Sequence, residues 1–99
     1  MASYVSLFNF TEQGVKNFRA SPARAIGFAN AAKKAGCKVR EIYWTVGQYD
    51  GVLIFEAASD EAAASVLLAL GALGNVRTAT LRAFTAAEMK RIIAKVPKL

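Results

Sequence analysis

The stretch KVREIYWTVGQYDGVLIFEAA, residues 38–58, predicts two strands joined by a glycine-flanked bend. Its first part, KVREIYWTV, and its last, GVLIFEAA, are rich in the β-branched and aromatic residues that favour strands. Gly47 and Gly51 flank the bend and permit backbone angles that other residues resist. Asp50 is typical of an Asx-turn. The pattern therefore indicates an antiparallel hairpin in the middle of the chain.

A strand and a helix precede this hairpin. SYVSLFNF is apolar and aromatic over Tyr4 to Phe10 and predicts a strand. The next segment, TEQGVKNFRASP, predicts a loop or a single helical turn. Ser21 before Pro22 is typical of a helix start, with an N-cap followed by proline at the first helical position. We expect that helix to end at Gly36, where a left-handed cap requires no Cβ.

A second helix, a fourth strand and a terminal helix follow the hairpin. DEAAASVLLALGAL carries Asp60 and Glu61 in its first turn, where negative charge stabilises the helix dipole. VRTATLRAF predicts a strand. Thr85 and Glu88 then have the spacing of a capping box, which predicts a short C-terminal helix that ends near Pro97.

The resulting order, βαββαβ plus a C-terminal helix, predicts an α+β fold of the ferredoxin-like type. No linker or low-complexity segment divides the chain, so we expect one domain over residues 1–99. Right-handed crossovers place both helices on one face of a four-stranded antiparallel sheet. The opposite face of the sheet is then bare.

Alternation along the strands predicts which side chains line the bare face. The first strand is ambiguous, and we expect Val5 and Leu7 to face the helices. On the fourth strand we expect Ala79, Leu81 and Ala83 to do so. The residues expected on the bare face are Phe8, Tyr43, Val52, Ile54, Thr78 and Thr80, with Glu41, Glu56 and Arg82 around them.

An apolar face of this size predicts self-association. A monomer rarely leaves an apolar patch of several hundred Å² in water. We therefore expect a homodimer or a higher homo-oligomer of the dimeric α/β-barrel type, with the bare faces in contact and a small pocket at or beside the seam.

The hairpin register decides whether two carboxylates meet. If Thr45 faces Val52, Glu41 lies directly opposite Glu56. Like charges in that position repel, and one pKa rises unless a cation such as Arg82 intervenes. The pair is then an acid/base candidate. Two separately paired carboxylates at a wet sheet end are the preferred interpretation, because a register change of one residue separates them.

Polar side chains at the bend and in the first loop are further candidates. Tyr49 and Asp50 are catalytic candidates if they lie in a polar, buried setting, but building the turn explains both without chemistry. The loop between the first strand and helix is of a length that is enriched in function, and it precedes a helix N-terminus that favours anions. The ligand-binding candidates are Gln13, Lys16, Asn17, Arg24, Tyr43 and Arg82.

The composition limits the chemistry that is available. Of 99 residues, 55% are hydrophobic, one is cysteine and none is histidine. The lone Cys37 excludes an intramolecular disulfide, and we expect an inert, buried thiol. Without histidine the usual zinc and copper ligand sets are missing, so we predict no metal site and no cofactor.

Charge and hydropathy give expectations about partners and location. The net charge of +6 is dispersed, which favours a small anionic molecule as a ligand but is also typical of a solvated surface. The first ten residues lack the regions of a signal peptide. The longest uncharged run, residues 62–76, is shorter than the roughly 20 residues of a membrane span. We expect a soluble, cytoplasmic protein without a membrane partner.

A nucleic-acid partner is not expected, although RNA-recognition modules share this topology. Those modules stack bases on aromatic side chains of the third strand. The corresponding positions here are Val52, Ile54 and Glu56, which include no aromatic ring and one carboxylate that repels phosphate.

The chain resembles a known family over nearly its whole length. GQYDGVLIFEAASDEAAASVLLALGALGNVRTATLRAFT is similar to the GYD-domain family, small bacterial proteins named for a Gly-Tyr-Asp signature, and FTEQGVKNFRASPAR and VREIYWTVGQYD continue the match upstream. Here Gln48 separates Gly47 from Tyr49, a departure from the bare signature. The family resembles the dimeric α/β-barrel proteins, which implies the fold predicted above and no particular activity.

Two functions remain open. The first is a homo-oligomeric small-molecule-binding or accessory domain with its pocket at or beside the dimer seam. The second is a cofactor-free enzyme of the isomerase or oxygenase type. Because histidine is absent, Tyr49, Asp50, Tyr43 or the pair Glu41 and Glu56 would have to act as acid or base with strongly shifted pKa values. The binding domain is the preferred hypothesis.

Overall fold

The computed structural model describes every residue from Met1 to Leu99. Four strands form one sheet in the order β2-β3-β1-β4, and all neighbouring strands are antiparallel. The strands are β1 (Ala2–Phe10), β2 (Cys37–Trp44), β3 (Gly51–Ala57) and β4 (Val76–Ala83). The helices are α1 (Glu12–Lys16), α2 (Ser21–Lys34), α3 (Asp60–Ala72) and α4 (Ala86–Ala94), with a 3-10 turn at Phe18–Ala20. The ferredoxin-like α+β fold predicted from the sequence is confirmed.

The helix starts follow the sequence signals with one exception. The Ser59 hydroxyl accepts a hydrogen bond from the Ala62 N–H and begins α3. The capping box of Thr85 and Glu88 begins α4 as predicted. Ser21, however, is the first residue of α2 and not its N-cap. Its hydroxyl instead accepts a hydrogen bond of 2.9 Å from the indole N–H of Trp44.

The predicted faces of β1 are wrong. Tyr4, Ser6 and Phe8 are buried against the helices, whereas Val5 and Leu7 line the bare face. Three local contacts explain this arrangement. The Ser6 and Thr80 hydroxyls lie 2.8 Å apart in a hydrogen bond, the Tyr4 ring stacks on Phe55, and the Phe8 ring packs over Gly51.

The predicted faces of β4 are also wrong, because β4 pairs with β1 and its faces follow those of β1. Residues directly opposite each other in an antiparallel pair lie on one face. Because Thr80 pairs with Ser6 and Thr78 pairs with Phe8, both threonines lie on the helix side. Phe8, Thr78 and Thr80 therefore do not belong to the bare face, and Ala79 and Leu81 take their place.

The predicted register of the β2–β3 hairpin is also wrong. Tyr43 pairs with Val52, and Glu41 pairs with Ile54, so Glu41 does not lie opposite Glu56. An irregularity between Val39 and Glu41 shifts the pairing by one residue, as a β-bulge does. The side chain of Arg40 forms an ion pair of 3.4 Å with Glu56.

The C-terminal helix α4 lies apart from the two-layer body. It contains no buried residue, and Met89, Ile93 and the following Val96 are exposed. The overall extents of 52 × 31 × 19 Å describe a thin, elongated molecule. None of the helices has the combination of length and apolar content that a membrane span requires.

Candidate functional site

A cavity lies between the helix layer and the sheet, near the start of α2 and the end of α3. We call it the helix-side cavity. Its volume is 70 Å³, and nine of its 12 lining residues are hydrophobic. The sheet contributes five lining residues; Val76 begins β4, and four side chains of β1 to β3 form the floor: Phe8, Ile42, Trp44 and Leu53. All four point away from the bare face, so the cavity is on the opposite side of the sheet from the predicted seam.

The helices form the other walls of the cavity. Ala25 and Phe28 come from α2, and Leu70 comes from α3. Leu73 is the first residue after the end of α3. Beyond these residues α2 and α3 diverge into a groove with a volume of 470 Å³, which shares Phe28, Leu70 and Leu73 with the cavity. Small residues such as Ala31 border this groove. Small facing residues leave the space between the helices unfilled.

Three polar residues line the cavity. Ser21 is held by Trp44, as described above. Asn75 is held through its backbone carbonyl, which accepts from the Thr11 N–H at 3.0 Å. Arg24 lines both the cavity and the groove. One of its guanidinium nitrogens, Nη1, donates to the Asn17 carbonyl at 3.0 Å, and Arg24 forms no ion pair.

The other loop candidates hold the loop itself. Gln13 donates to the Leu73 carbonyl and to the Asn75 side chain, each at 3.0 Å. Asn17 donates to the Gln13 carbonyl, and Lys16 forms an exposed ion pair with Glu12 at 3.2 Å. Of the four loop candidates, only Arg24 lines the cavity.

Tyr49 and Asp50 build the bend. The Asp50 carboxylate accepts from the Phe10 N–H at 2.8 Å, and the Asp50 N–H donates to the Phe8 carbonyl at 2.9 Å. The Thr45 hydroxyl donates to the Tyr49 carbonyl at 2.7 Å. These contacts tie the bend to the end of β1. Neither Tyr49 nor Asp50 lines the helix-side cavity.

Arg82, predicted to lie near the glutamates, instead faces the helix side. Its guanidinium lies over the rings of Tyr4 and Phe84, at 5.6 Å and 4.6 Å from their centroids. It also forms an ion pair of 3.7 Å with Glu88 at the start of α4. The Tyr4 hydroxyl donates to the Asp60 carboxylate, and this hydrogen bond raises the pKa of Tyr4. The cluster anchors α4 at the rim of the sheet.

Cys37 is buried in the core, where burial raises the pKa of its thiol. A raised pKa lowers the thiolate fraction near neutral pH, and the thiolate is the reactive form. This placement supports the inert interpretation of Cys37.

The bare face is apolar across all four strands. Two adjacent rungs of cross-strand neighbours form its centre. On the two edge strands, Tyr43 and Leu81 are 52% and 58% exposed. The side chains on the two central strands, β3 and β1, are half-buried. We define the bare face by these two rungs: Tyr43, Val52, Leu7 and Ala79, and Glu41, Ile54, Val5 and Leu81.

The helix-side cavity was not predicted from the sequence. Its floor residues alternate along the strands as ordinary core residues do, and only the spacing of the helices leaves them uncovered. One signal was present: Trp44 is the only tryptophan of the chain. A large amphipathic ring at a strand end is typical of a binding surface as well as of a core.

Comparison with known families gives one match. The sequence model described as GYD domain matches residues 4–93. This segment includes all but the first two residues of β1, the strands β2, β3 and β4, the helices α1 to α3, and all but the last residue of α4. Neither the comparison with curated proteins nor that with solved structures finds a match.

Proposed function

The chain belongs to the GYD domain family, and from this premise we propose that it is a homo-oligomeric small-molecule-binding domain. Two copies are proposed to close their bare faces on each other. Each copy is proposed to bind its ligand in the helix-side cavity. The single observation that carries the proposal is the continuous apolar surface of the bare face, on the side of the sheet that no helix covers.

The bare face supports self-association through its composition. Its two rungs run from edge strand to edge strand and contain a single charged side chain, Glu41. Each Å² of apolar surface removed from water is worth about 25 cal/mol. Charged residues that lie outside the two rungs, including Lys38 and Arg77, give the surface a polar rim. An apolar centre inside a polar rim is typical of protein interfaces.

Helix α4 offers a second apolar surface. Met89 and Ile93 are spaced four residues apart and share one side of the helix, and both are exposed. A standard interface buries about 800 Å² per partner, which is more than two rungs of a four-stranded sheet supply. We therefore include α4 in the proposed contact.

Self-association through the bare face leaves the helix-side cavity accessible. The cavity and the bare face lie on opposite sides of the sheet, so a second copy on one does not cover the other.

The alternative of a cofactor-free enzyme lacks comparable support. Its candidates Tyr49 and Asp50 build the bend, and Glu41 of its proposed pair lies opposite Ile54 and not opposite Glu56.

Light scattering coupled to size exclusion tests the self-association. The wild type is expected to elute as a dimer or a higher oligomer at micromolar concentration. Ile54→Lys and Leu81→Lys each place a cation in the bare face, where a second copy would remove it from water without a partner, and each is expected to weaken association at least about a hundredfold. Leu68→Lys is the control, because Leu68 is exposed on α3.

A monomeric wild type would contradict the proposal, as would association that survives both bare-face variants. Circular dichroism and Trp44 fluorescence establish that each variant is folded. Leu81 lies on an edge strand and is more exposed than Ile54, so Leu81→Lys guards against simple misfolding of Ile54→Lys.

A further inference from the structure

We infer that the helix-side cavity binds a compact apolar carboxylic acid, with one aromatic ring or a short branched chain, and that Arg24 holds its carboxylate. This inference rests on the proposed binding function and does not depend on self-association. Three features of the cavity carry it: an apolar floor, a limited volume, and one cation without an acidic partner.

The floor of the cavity selects an apolar group. Phe8 and Leu53 are buried at its base, and no carboxylate lines either the cavity or the adjoining groove. The only polar groups at the floor are those of Trp44, whose indole N–H is already used by Ser21. A polar group placed here would lose its hydrogen bonds to water without replacement, which costs free energy.

The volume of the cavity limits the size of that group. One bound water molecule requires about 10–15 Å³. The cavity of 70 Å³ therefore accommodates roughly five groups of the size of a water molecule. A branched aliphatic end or most of one ring fits this space. The opening toward the interhelical groove leaves room for the remainder of the molecule at the mouth.

Arg24 supplies the charge that selects an acid. Its guanidinium has five N–H donors, and the protein uses Nη1 for the Asn17 carbonyl. The first turn of α2 contains no acidic residue, and Arg24 forms no ion pair. The planar guanidinium matches a carboxylate in geometry, and such charge-assisted bonds are stronger than neutral ones. One free cation beside an apolar floor fits a ligand with one negative charge.

The chain contains its own reporter for this site. Trp44 is the only tryptophan and lines the cavity, so its fluorescence and its single indole N–H cross-peak in ¹H–¹⁵N spectra report on occupancy. Phenylacetate and phenylacetamide are matched probes, because they have nearly the same shape and differ in charge. Both are titrated into the full-length chain.

Saturable changes at Trp44 are expected with phenylacetate, at an affinity about tenfold or more above that of phenylacetamide. Arg24→Gln is expected to remove this preference, so that phenylacetate binds no more tightly than phenylacetamide. Arg19→Gln is the matched control and is expected to behave as wild type, since Arg19 lies over the Phe18 ring and does not line the cavity.

Blocking the cavity separates this site from binding elsewhere. Ala25 is half-buried on α2 and lines the cavity, so Ala25→Phe is expected to fill it and to abolish binding of both probes in a folded protein. Continued binding of either probe to Ala25→Phe would show that the probe binds outside the helix-side cavity, which overturns the inference. Equal affinity of the two probes for the wild type overturns the carboxylate assignment but retains a binding cavity. Binding of neither probe to the wild type overturns this inference, whereas the proposed self-association fails only if light scattering finds a monomer.

Discussion

At the scale of single residues, Gly51 allows the Phe8 ring to pack closely against the backbone of β3. A Cβ at this position would lie 2.1 Å from Cζ of Phe8 and 2.6 Å from the Tyr43 carbonyl oxygen. Both distances are far below van der Waals contact. The absence of a side chain at Gly51 therefore allows the Phe8 ring to lie flat over β3, where it forms part of the cavity floor.

Gly51→Ala is expected to destabilise the fold by about 1–3 kcal/mol, because the added methyl group displaces a buried ring or a backbone carbonyl. Urea unfolding measures the change. Gly71→Ala is the matched control, since nothing lies within 4 Å of its added Cβ and Gly71 is inside α3. That substitution is expected to be neutral or to stabilise by up to about 1 kcal/mol. Equal losses in the two variants would contradict the packing argument.

Asp50 tests whether the bend is structural. Its carboxylate is the acceptor for the half-buried Phe10 N–H, so Asp50→Ala leaves that donor unpaired and is expected to cost about 1–3 kcal/mol in unfolding free energy. Asp50→Asn keeps an oxygen acceptor and is expected to retain most of the stability. Similar stability for wild type and Asp50→Ala would show that the bend does not depend on this bond, and would reopen a functional interpretation of Asp50.

At the scale of elements, the sequence predicted the strands and helices well and the faces of only two strands. On β3, Leu53 and Phe55 belong together on the helix side, as alternation indicated. On β1 both alternating sets are apolar or neutral, so composition alone does not choose between them. The choice is made by a cross-strand hydrogen bond between the Ser6 and Thr80 hydroxyls. That contact joins residues 74 positions apart, which no local pattern reveals.

The hairpin register and the cavity escaped prediction for related reasons. The register depends on how many residues the bend takes up, here Thr45 to Asp50, and the sequence pattern fixes neither this number nor the bulge near Arg40. The cavity depends on the distance between α2 and α3, which follows from packing in three dimensions. Arg24 was predicted as a ligand-binding candidate because it lies near a helix start. Arg24 does line the cavity, as a ligand-binding residue would, and ligand binding by Arg24 is our proposal.

Helix α4 is expected to lose order in acid. The Thr85 N–H donates to the Glu88 carboxylate, and this bond lowers the pKa of Glu88 below its ordinary value of 4.5. A carboxyl group whose pKa is lowered on folding stabilises the folded form fully above its unfolded pKa. That contribution disappears as the pH falls through the lower, folded pKa. The capping box and the Arg82 ion pair therefore weaken below about pH 4.5.

Amide chemical shifts of residues 86–94, followed between pH 7 and pH 3, measure this loss. Glu88→Gln is the matched control, because its side chain can still cap the helix but does not titrate. Fraying of α4 in acid is expected in the wild type and not in Glu88→Gln. Identical pH dependence in both proteins would assign the transition to another group.

At the scale of the whole molecule, the fold presents two apolar surfaces on opposite sides of one thin sheet. The body is two layers deep, and the shortest extent of the molecule is 19 Å. The helix side holds a small cavity, and the bare side offers a broad apolar surface. The proposed ligand binding and the proposed self-association therefore use opposite sides of the sheet, and a substitution on one side is expected to leave the other property intact.

A charge-complementation experiment tests whether the proposed contact is truly face to face. Ile54→Lys and Ile54→Glu are each expected to be monomeric, because two copies would bring like charges together in a surface that excludes water. An equimolar mixture brings opposite charges together and is expected to recover association, as a mixed dimer that light scattering detects. Recovery is expected to weaken with added salt, which screens the attraction. Leu68→Lys mixed with Leu68→Glu is the control, since Leu68 lies outside the bare face and each variant alone is expected to associate as wild type does. A mixture of the two Ile54 variants that stays as monomeric as its components, with both proteins folded, would show that the two Ile54 positions do not face each other across the contact.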